Sequence, residues 1–155
     1  MSNILDILNT ADLINTDLKP TLIQHGTTVL LKVAEAKITD AADKLSQMFE
    51  FKLKTVNPAP GTKGKPLNAG YTITHRISLK EIDKNGADRT EQIKADCAKF
   101  RLAVTGSKAG AFMPLEQYLN ADVTAVINVQ KDPSGQYSDS NAIGRFVPPA
   151  GVKME

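Results

Sequence analysis

The residues of this chain that could contact a polyanion are concentrated in one segment. Residues 51–80 contain six Lys and Arg side chains and no Asp or Glu, whereas the rest of the 155-residue chain contains 13 basic and 17 acidic residues. A locally basic segment in an otherwise acidic protein is typical of a polyanion-binding site, because clustered cations create a positive potential over one part of the surface. The alternative is a solvated face whose lysines serve solubility.

The centre of this segment has the composition of a phosphate-binding loop. Residues 61–65 read GTKGK, but the spacing is shorter than that of the P-loop, and Pro66 stands where that motif needs Ser or Thr. The same run matches the GXXG sequence of KH domains, although here it is predicted to join two strands and not two helices. Three prolines and two glycines between residues 57 and 68 instead predict a long, mobile, basic loop without regular structure.

Residues with catalytic or metal-binding chemistry are few. His25 and His75 have no partners at metal-ligand spacing, and His75 lies at a position predicted to face the core. The single cysteine, Cys97, falls on the apolar side of a predicted helix, where it would act as a small hydrophobic side chain. We therefore expect no enzyme activity, no cofactor and no bound metal.

Composition and length indicate one ordinary globular domain. Hydrophobic residues make up 41% of the chain and charged residues 23%. A single cysteine excludes an intramolecular disulfide and fits a reducing compartment. No segment approaches the roughly 20 apolar residues that cross a bilayer, and the N-terminus lacks the features of a secretory signal. We therefore expect a cytoplasmic protein that does not associate with membranes.

Five strands and two helices are predicted to position the basic segment. The apolar residues from Ile93 to Val104 recur at helical spacing, which predicts a helix that is capped by Thr90 and ends at Gly106. A short N-terminal helix is predicted from Ser2 to about residue 15. Alternation of apolar and polar residues predicts strands at residues 27–38, 45–56, 71–82, 123–129 and 137–147.

This order predicts a mainly β fold class, namely a five-stranded OB-like β-barrel with a helix between strands 3 and 4 and an N-terminal helix. The predicted parts are an N-terminal helix and linker at 1–26, an OB-like domain at 27–148 and a short tail at 149–155. A flat α+β sandwich is the alternative fold. The apolar stripe of the N-terminal helix would either cover one end of the barrel or mediate homo-oligomerisation.

Several segments of the chain are similar to those of one known family. They are VLLKV at 29–33, TEQI at 90–93, PLEQYL at 114–119, GQY at 135–137, NAI at 141–143 and RFVP at 145–148. On these scattered positions, the chain resembles phage-encoded OB-fold proteins associated with single-stranded DNA binding. The resemblance implies the fold and a role in phage DNA replication or recombination, and it implies no catalytic residue. The family's frequent acidic tail is not expected, because the sequence ends in the nearly neutral GVKME.

Single-strand binding needs cations that follow the phosphates and flat rings on which bases stack. In an OB-fold the ligand lies on strands 2 and 3, flanked by the loops that join strands 1 to 2 and 4 to 5. We therefore predict a protein that binds single-stranded DNA, or else RNA. The predicted binding residues are Lys52, Lys54, Thr74 and Arg76 on the outward face of strands 2 and 3, Lys63 and Lys65 on the loop between them, and Lys131 and Tyr137 at the hairpin of strands 4 and 5.

An alternative function uses the same fold without nucleic acid. An OB-like module can serve as a structural or assembly protein, for example as a virion component, because a fold does not determine a function. The apolar N-terminal helix would then dock on a neighbouring subunit.

Overall fold

A computed structural model describes residues 4–10, 20–41, 45–107, 110–132, 134 and 139–149. Its elements are α1 (Ile4–Thr10), β1 (Thr27–Asp40), β2 (Gln47–Thr55), β3 (Thr72–Ser78), α2 (Thr90–Thr105), β4 (Asp122–Gln130) and β5 (Ser140–Val147), with a short 3-10 helix (Leu115–Tyr118) before β4. The prediction of a mainly β chain with one helix between strands 3 and 4 and another at the N-terminus is confirmed. Among these residues, no helix combines the length and apolar character needed to cross a membrane.

The five strands form one antiparallel sheet in the order β3-β2-β1-β4-β5. β1 is central: it pairs with β4 through Thr27–Lys32 and with β2 through Leu31–Asp40. β3 and β5 are the two edges, and no ladder joins them in the described part of the chain. Their Cα atoms nevertheless approach within 8 Å. The sheet is strongly curved but not closed, so the predicted closed barrel is not confirmed.

A β-bulge in β1 changes which of its residues face the core. The register with β2 shifts between Val33 and Glu35, which leaves Ala34 without a direct partner. Before the bulge the odd-numbered residues point inward, and after it Ala36 lies opposite the buried Phe51. An extra residue in one strand reverses the alternation that follows it and bends the strand. The 14-residue β1 can therefore pair with two different neighbours along its length.

Helix α2 covers the inner face of the sheet through an aromatic cluster. The ring centroid of Phe100 lies 4.2 Å from that of Phe51, 5.2 Å from Tyr118 and 5.5 Å from Phe146. Phe100, Phe51 and Tyr118 are fully buried. The hydroxyl of Tyr118 accepts a hydrogen bond from the N–H of Met113 (3.2 Å), so its burial leaves no unsatisfied polar group. The cluster joins α2 to β2, to β5 and to the 3-10 helix.

Local hydrogen bonds define both ends of α2. Gly106 adopts a φ of 81°, and its N–H donates to the carbonyl of Leu102 (2.8 Å), as predicted. At the other end, Thr90 is the first helical residue and not the cap. The carboxylate of Asp88 accepts hydrogen bonds from the N–H and the hydroxyl of Thr90 (2.8 and 2.7 Å). The predicted Thr90 cap is therefore wrong: Arg89 occupies the cap position without a side-chain cap hydrogen bond, and Asp88 accepts the two bonds from Thr90.

The segment ahead of β1 belongs to the packed core. Ile23 is fully buried, although it falls within the predicted linker. The side-chain oxygen of Asn141 on β5 accepts hydrogen bonds from the N–H of Ile23 (2.8 Å) and from the hydroxyl of Tyr71 (2.9 Å). Its amide nitrogen donates to the carbonyl of Ile23 (3.0 Å). This side chain therefore connects β5 to the start of β3 and to the residues before β1.

Helix α1 is exposed along its whole length. Its four large apolar side chains, Ile4, Leu5, Ile7 and Leu8, are between 46% and 62% exposed, and none of its residues is buried. The structure therefore gives no support to α1 as a cover for one end of the sheet. Homo-oligomerisation through this helix stays a prediction.

The position of Phe51 leads to a prediction for stability. Phe51→Ala should lower the free energy of unfolding by about 3–5 kcal/mol, because it opens a cavity beside Phe100. Chemical denaturation followed by circular dichroism measures this loss. The control is Ile82→Ala, at a side chain that is 50% exposed, which should change stability by less than about 1 kcal/mol. Equal, small losses in the two variants would contradict the described core.

Candidate nucleic-acid interface

The outer face of β1, β2 and β3 carries half of the predicted binding residues. The register places Lys32 opposite Lys54 and Lys52 opposite Thr74. Because directly opposed residues of antiparallel strands share a face, these side chains lie on one surface. We define the outer patch as Lys32, Lys37, Lys52, Lys54, Thr72, Thr74 and Arg76. The register thus places the four residues predicted for strands 2 and 3 on one face, as expected.

Arg76 and Lys37 share a single carboxylate, that of Glu50. The Nε of Arg76 donates to Oε2 of Glu50 (3.0 Å), and Nζ of Lys37 lies 3.8 Å from Oε1. The hydrogen bond from Arg76 is the main cause of a lowered pKa at Glu50, and burial acts in the opposite direction. The Arg76 side chain remains 57% exposed. Glu50 therefore orients the guanidinium while leaving it accessible to a ligand.

Lys52 and Lys54 are offset only weakly by acidic side chains: the charge of Lys52 helps to lower the pKa of Glu50, but less than Arg76 and Lys37 do. Neither Lys52 nor Lys54 has a carboxylate within 4.0 Å in the described part of the chain, although Glu35 lies opposite Lys52 in the register. Lys32, which lies opposite Lys54, forms an ion pair with Asp122 (3.4 Å). Like charges placed directly across from each other destabilise a sheet. A polyanion bound to this face would remove that repulsion.

Two cations of the outer patch were missed by the sequence analysis. Lys32 follows the predicted alternation, since it lies between the inward-facing Leu31 and Val33. Lys37 departs from this alternation, because a strict alternation along the whole strand would assign it to the core. The bulge at Ala34 reverses the alternation and brings Lys37 to the outer face beside Glu50. No residue type at this point of the sequence marks the bulge.

The loop between β2 and β3 contains no helix or strand, as predicted, and isolated β-bridges anchor it at its base. Ala59 and Leu67 form an antiparallel bridge, with N–H to carbonyl distances of 3.0 and 2.7 Å in the two directions. The residues just before β1 form a second bridge with this loop. Lys63 and Lys65 lie exposed between the anchored residues. Both lysines are therefore presented by a loop that is fixed below them.

The end of β4 faces β3 across a polar cleft of about 340 Å³. Thr74 and Arg76 line one side of this cleft, and Gln130 lines the other. Lys131, directly after Gln130, is exposed. The predicted stacking ring of Tyr137 lies outside the described residues. The structure thus brings Thr74 and Arg76 close to the hairpin that begins at Lys131.

A larger cleft of about 480 Å³ lies where the sheet does not close. Its inner surface includes His75 of β3 and Phe146 of β5, whose ring centroids are 5.0 Å apart. Its volume falls in the range of about 300–1,000 Å³ that is typical of ligand sites. The charged residues around it are Arg76, Asp96, Lys99 and Arg145. The sequence analysis missed Lys99 and Arg145, because both lie far along the chain from the basic segment.

His75 and Cys97 have the properties of core residues. Burial lowers the pKa of His75 to about 4, and the nearby Asp96 carboxylate opposes this shift only in part. The imidazole is therefore neutral at neutral pH. Burial, followed by the charge of Asp96, raises the pKa of Cys97, so its thiol stays protonated. Within the described ranges, no three His, Cys, Asp or Glu side chains cluster as metal ligands would.

No model of a known protein family matches the sequence, and a search of curated proteins finds no significant match. The resemblance to phage-encoded OB-fold proteins therefore stays a prediction that depends on scattered positions.

The pKa of His75 predicts a pH dependence of stability. The folded-state value of about 4 lies below the ordinary 6.5, so the unfolded chain binds a proton first as the pH falls. The contribution of His75 to the free energy of unfolding is therefore fully present above pH 6.5. It is lost as the pH falls from 6.5 to about 4, and the loss is on the order of 3 kcal/mol.

Denaturant unfolding at a series of pH values tests this expectation. His75→Gln should lack this part of the pH dependence, whereas His25→Gln, at an exposed position, should retain it. The expectation fails if the wild type and the two variants lose the same free energy over this pH range.

Proposed function

We propose that this protein binds single-stranded nucleic acid, with DNA as the ligand, and that the phosphate backbone lies over the outer patch. The observation that carries the proposal is that Lys52 and Lys54, on one surface with Lys32, have no ion-pair partner within 4.0 Å in the described part of the chain. Structural ion pairs do not account for the position of these two lysines. A role in contacting a phosphate backbone accounts for it, because such a ligand needs cations along its path.

The chemistry of the outer patch suits a backbone ligand. Lysines act as point charges, and a guanidinium can donate two parallel hydrogen bonds to one phosphate. Glu50 already holds Arg76 in place, so little side-chain freedom is lost on binding. The hydroxyl groups of Thr72 and Thr74 lie beside the lysines and add donors. Lys63 and Lys65 extend the positive surface from the anchored loop.

The strand arrangement supports an open OB-like fold as part of this proposal. The central β1 pairs with both β2 and β4 and bends at its bulge, while β3 and β5 approach each other at the edges. Joining those edges would give a five-stranded barrel with its helix between strands 3 and 4. The ligand face of that fold is the surface on which the outer patch lies. A role in phage DNA replication or recombination follows from the resemblance and belongs to the proposal.

The exposed apolar side chains of α1 favour one other candidate function. A structural or assembly protein would use such a helix to dock on a neighbour and would have no need of a cationic outer patch. The two functions are separated by a single titration with labelled oligothymidine, because the assembly protein would not bind it.

Removal of the lysines at positions 52 and 54 gives the direct test. Lys52→Ala combined with Lys54→Ala should weaken oligothymidine binding by roughly tenfold at low salt and reduce the salt slope by about 1.4, since each lost contact removes about 0.7. Fluorescence anisotropy with a labelled strand of about 20 nucleotides, between about 50 and 200 mM salt, measures both quantities. The melting temperature should stay unchanged, because neither side chain is buried.

A matched control removes the same charge elsewhere. Lys84→Ala combined with Lys94→Ala alters two exposed lysines in the turn before α2 and on α2 itself. This control should retain affinity within about twofold. An equal loss in both double variants would assign the effect to net charge alone. A wild-type affinity that is independent of salt, or equal for duplex DNA, would refute binding through the outer patch.

A further inference from the structure

The cleft between β3 and β5 combines a partly exposed aromatic ring with cations that have no ion-pair partner in the described part of the chain. The ring is the neutral imidazole of His75, and Phe146 behind it is 7% exposed and belongs to the core. Lys99 and Arg145 are exposed, and neither lies within 4.0 Å of a carboxylate in the described part of the chain. The one carboxylate among the lining residues, Asp96, already accepts a hydrogen bond from Gln92 (2.9 Å). The cleft therefore suits a flat ring that carries negative charge.

A peptide strand is the obvious alternative occupant, because both walls are sheet edges. Neighbouring strands lie about 4.8 Å apart, so a strand inserted between β3 and β5 would need about 9.6 Å. The Cα atoms of the two edges approach within 8 Å. Where the two edges come this close, the gap is too narrow for an inserted strand. We therefore consider ligands that are held by side chains and not by backbone pairing.

Arg76 connects this cleft to the outer patch. It lines the large cleft and also the polar cleft of about 340 Å³, and its side chain points outward beside Glu50. A strand that crosses the outer patch therefore reaches the edge of β3 at Arg76. Arg145 on the facing edge lines the same large cleft. Arg76 thus belongs both to the outer patch and to the lining of this cleft.

We propose that the cleft between β3 and β5 holds one nucleotide of the bound strand, with its base against the partly exposed ring of His75 and its phosphates at Lys99 and Arg145. The proposal rests on the proposed function and adds a base-binding site to it. Base contacts with aromatic rings are the second requirement of single-strand binding, and they tolerate any sequence because every base has a flat face. The described outer patch offers cations and hydroxyl groups but no aromatic ring.

The first test removes the cations of the cleft. Lys99→Ala combined with Arg145→Ala should weaken oligothymidine binding by about tenfold, whereas the control with Lys84→Ala and Lys94→Ala should change it by less than about twofold. Both double variants remove two positive charges, so the difference between them reports contact and not net charge. Melting curves should be unchanged in both, because all four side chains are exposed.

The second test detects the base itself. Ile77 and Ile143 line the cleft, so their δ1 methyl resonances should shift through ring currents when oligodeoxyadenosine binds. An abasic strand of equal length and charge should leave both resonances nearly unmoved. Ile82, 50% exposed and outside the cleft, is the internal control.

The outcomes separate the two proposals. If the Lys52 and Lys54 variant weakens binding while the Lys99 and Arg145 variant behaves like its control, the strand lies on the outer patch alone and the cleft proposal is overturned. Equal methyl shifts with the abasic strand would also overturn it, because the cleft would then hold only backbone. If the wild type binds no single strand at all, the proposed function fails and the cleft proposal fails with it.

Discussion

The packing of Phe100 is the interaction on which the rest of the structure depends. Because β3 and β5 do not pair, the inner face of the sheet would be open to water along one side without α2. Phe100 fills that side: its ring contacts Phe51, Tyr118 and Phe146, and lies 6.3 Å from the imidazole of His75. These rings come from three strands and the 3-10 helix, so one buried side chain holds both edges of the sheet to the same helix. The cleft between the edges is the space that this packing leaves.

A polar contact complements the aromatic one at the other end of the two edges. Asn141 accepts hydrogen bonds from Ile23 and Tyr71 through one oxygen and returns a hydrogen bond to Ile23. Buried or half-buried polar groups are costly unless they are paired, so this arrangement tolerates little displacement of β5 relative to β3. The two edges are thus fixed at both ends without a ladder between them. An edge region held in this way can present side chains to a ligand with little loss of conformational entropy.

Prediction from sequence succeeded where one physical period decides the structure. The alternation in β2 and β3 located their inner faces, and the apolar spacing from Ile93 to Val104 with Gly106 located α2. It failed where distant residues decide. The bulge at Ala34 reverses the alternation of β1 without a local signal, and the bridge between Ile23 and Gly61, which anchors the loop, pairs residues far apart in the sequence. For the same reason Lys99 and Arg145 could not be assigned to a site, since only the packing of α2 and β5 brings them together.

The placement of Glu50 explains how a cationic face can remain selective for a ligand's geometry. A carboxylate among cations lowers the total positive charge of the outer patch, which weakens non-specific attraction at long range. The same carboxylate also fixes Arg76, which belongs to the outer patch and lines both clefts. A guanidinium that is oriented before binding recognises a phosphate at one defined position, whereas freely moving lysines neutralise charge wherever it lies. Under the proposed function, Arg76 is therefore the point that would set the path of the strand, with Lys52 and Lys54 supplying attraction on one side of it and the cleft receiving the strand on the other.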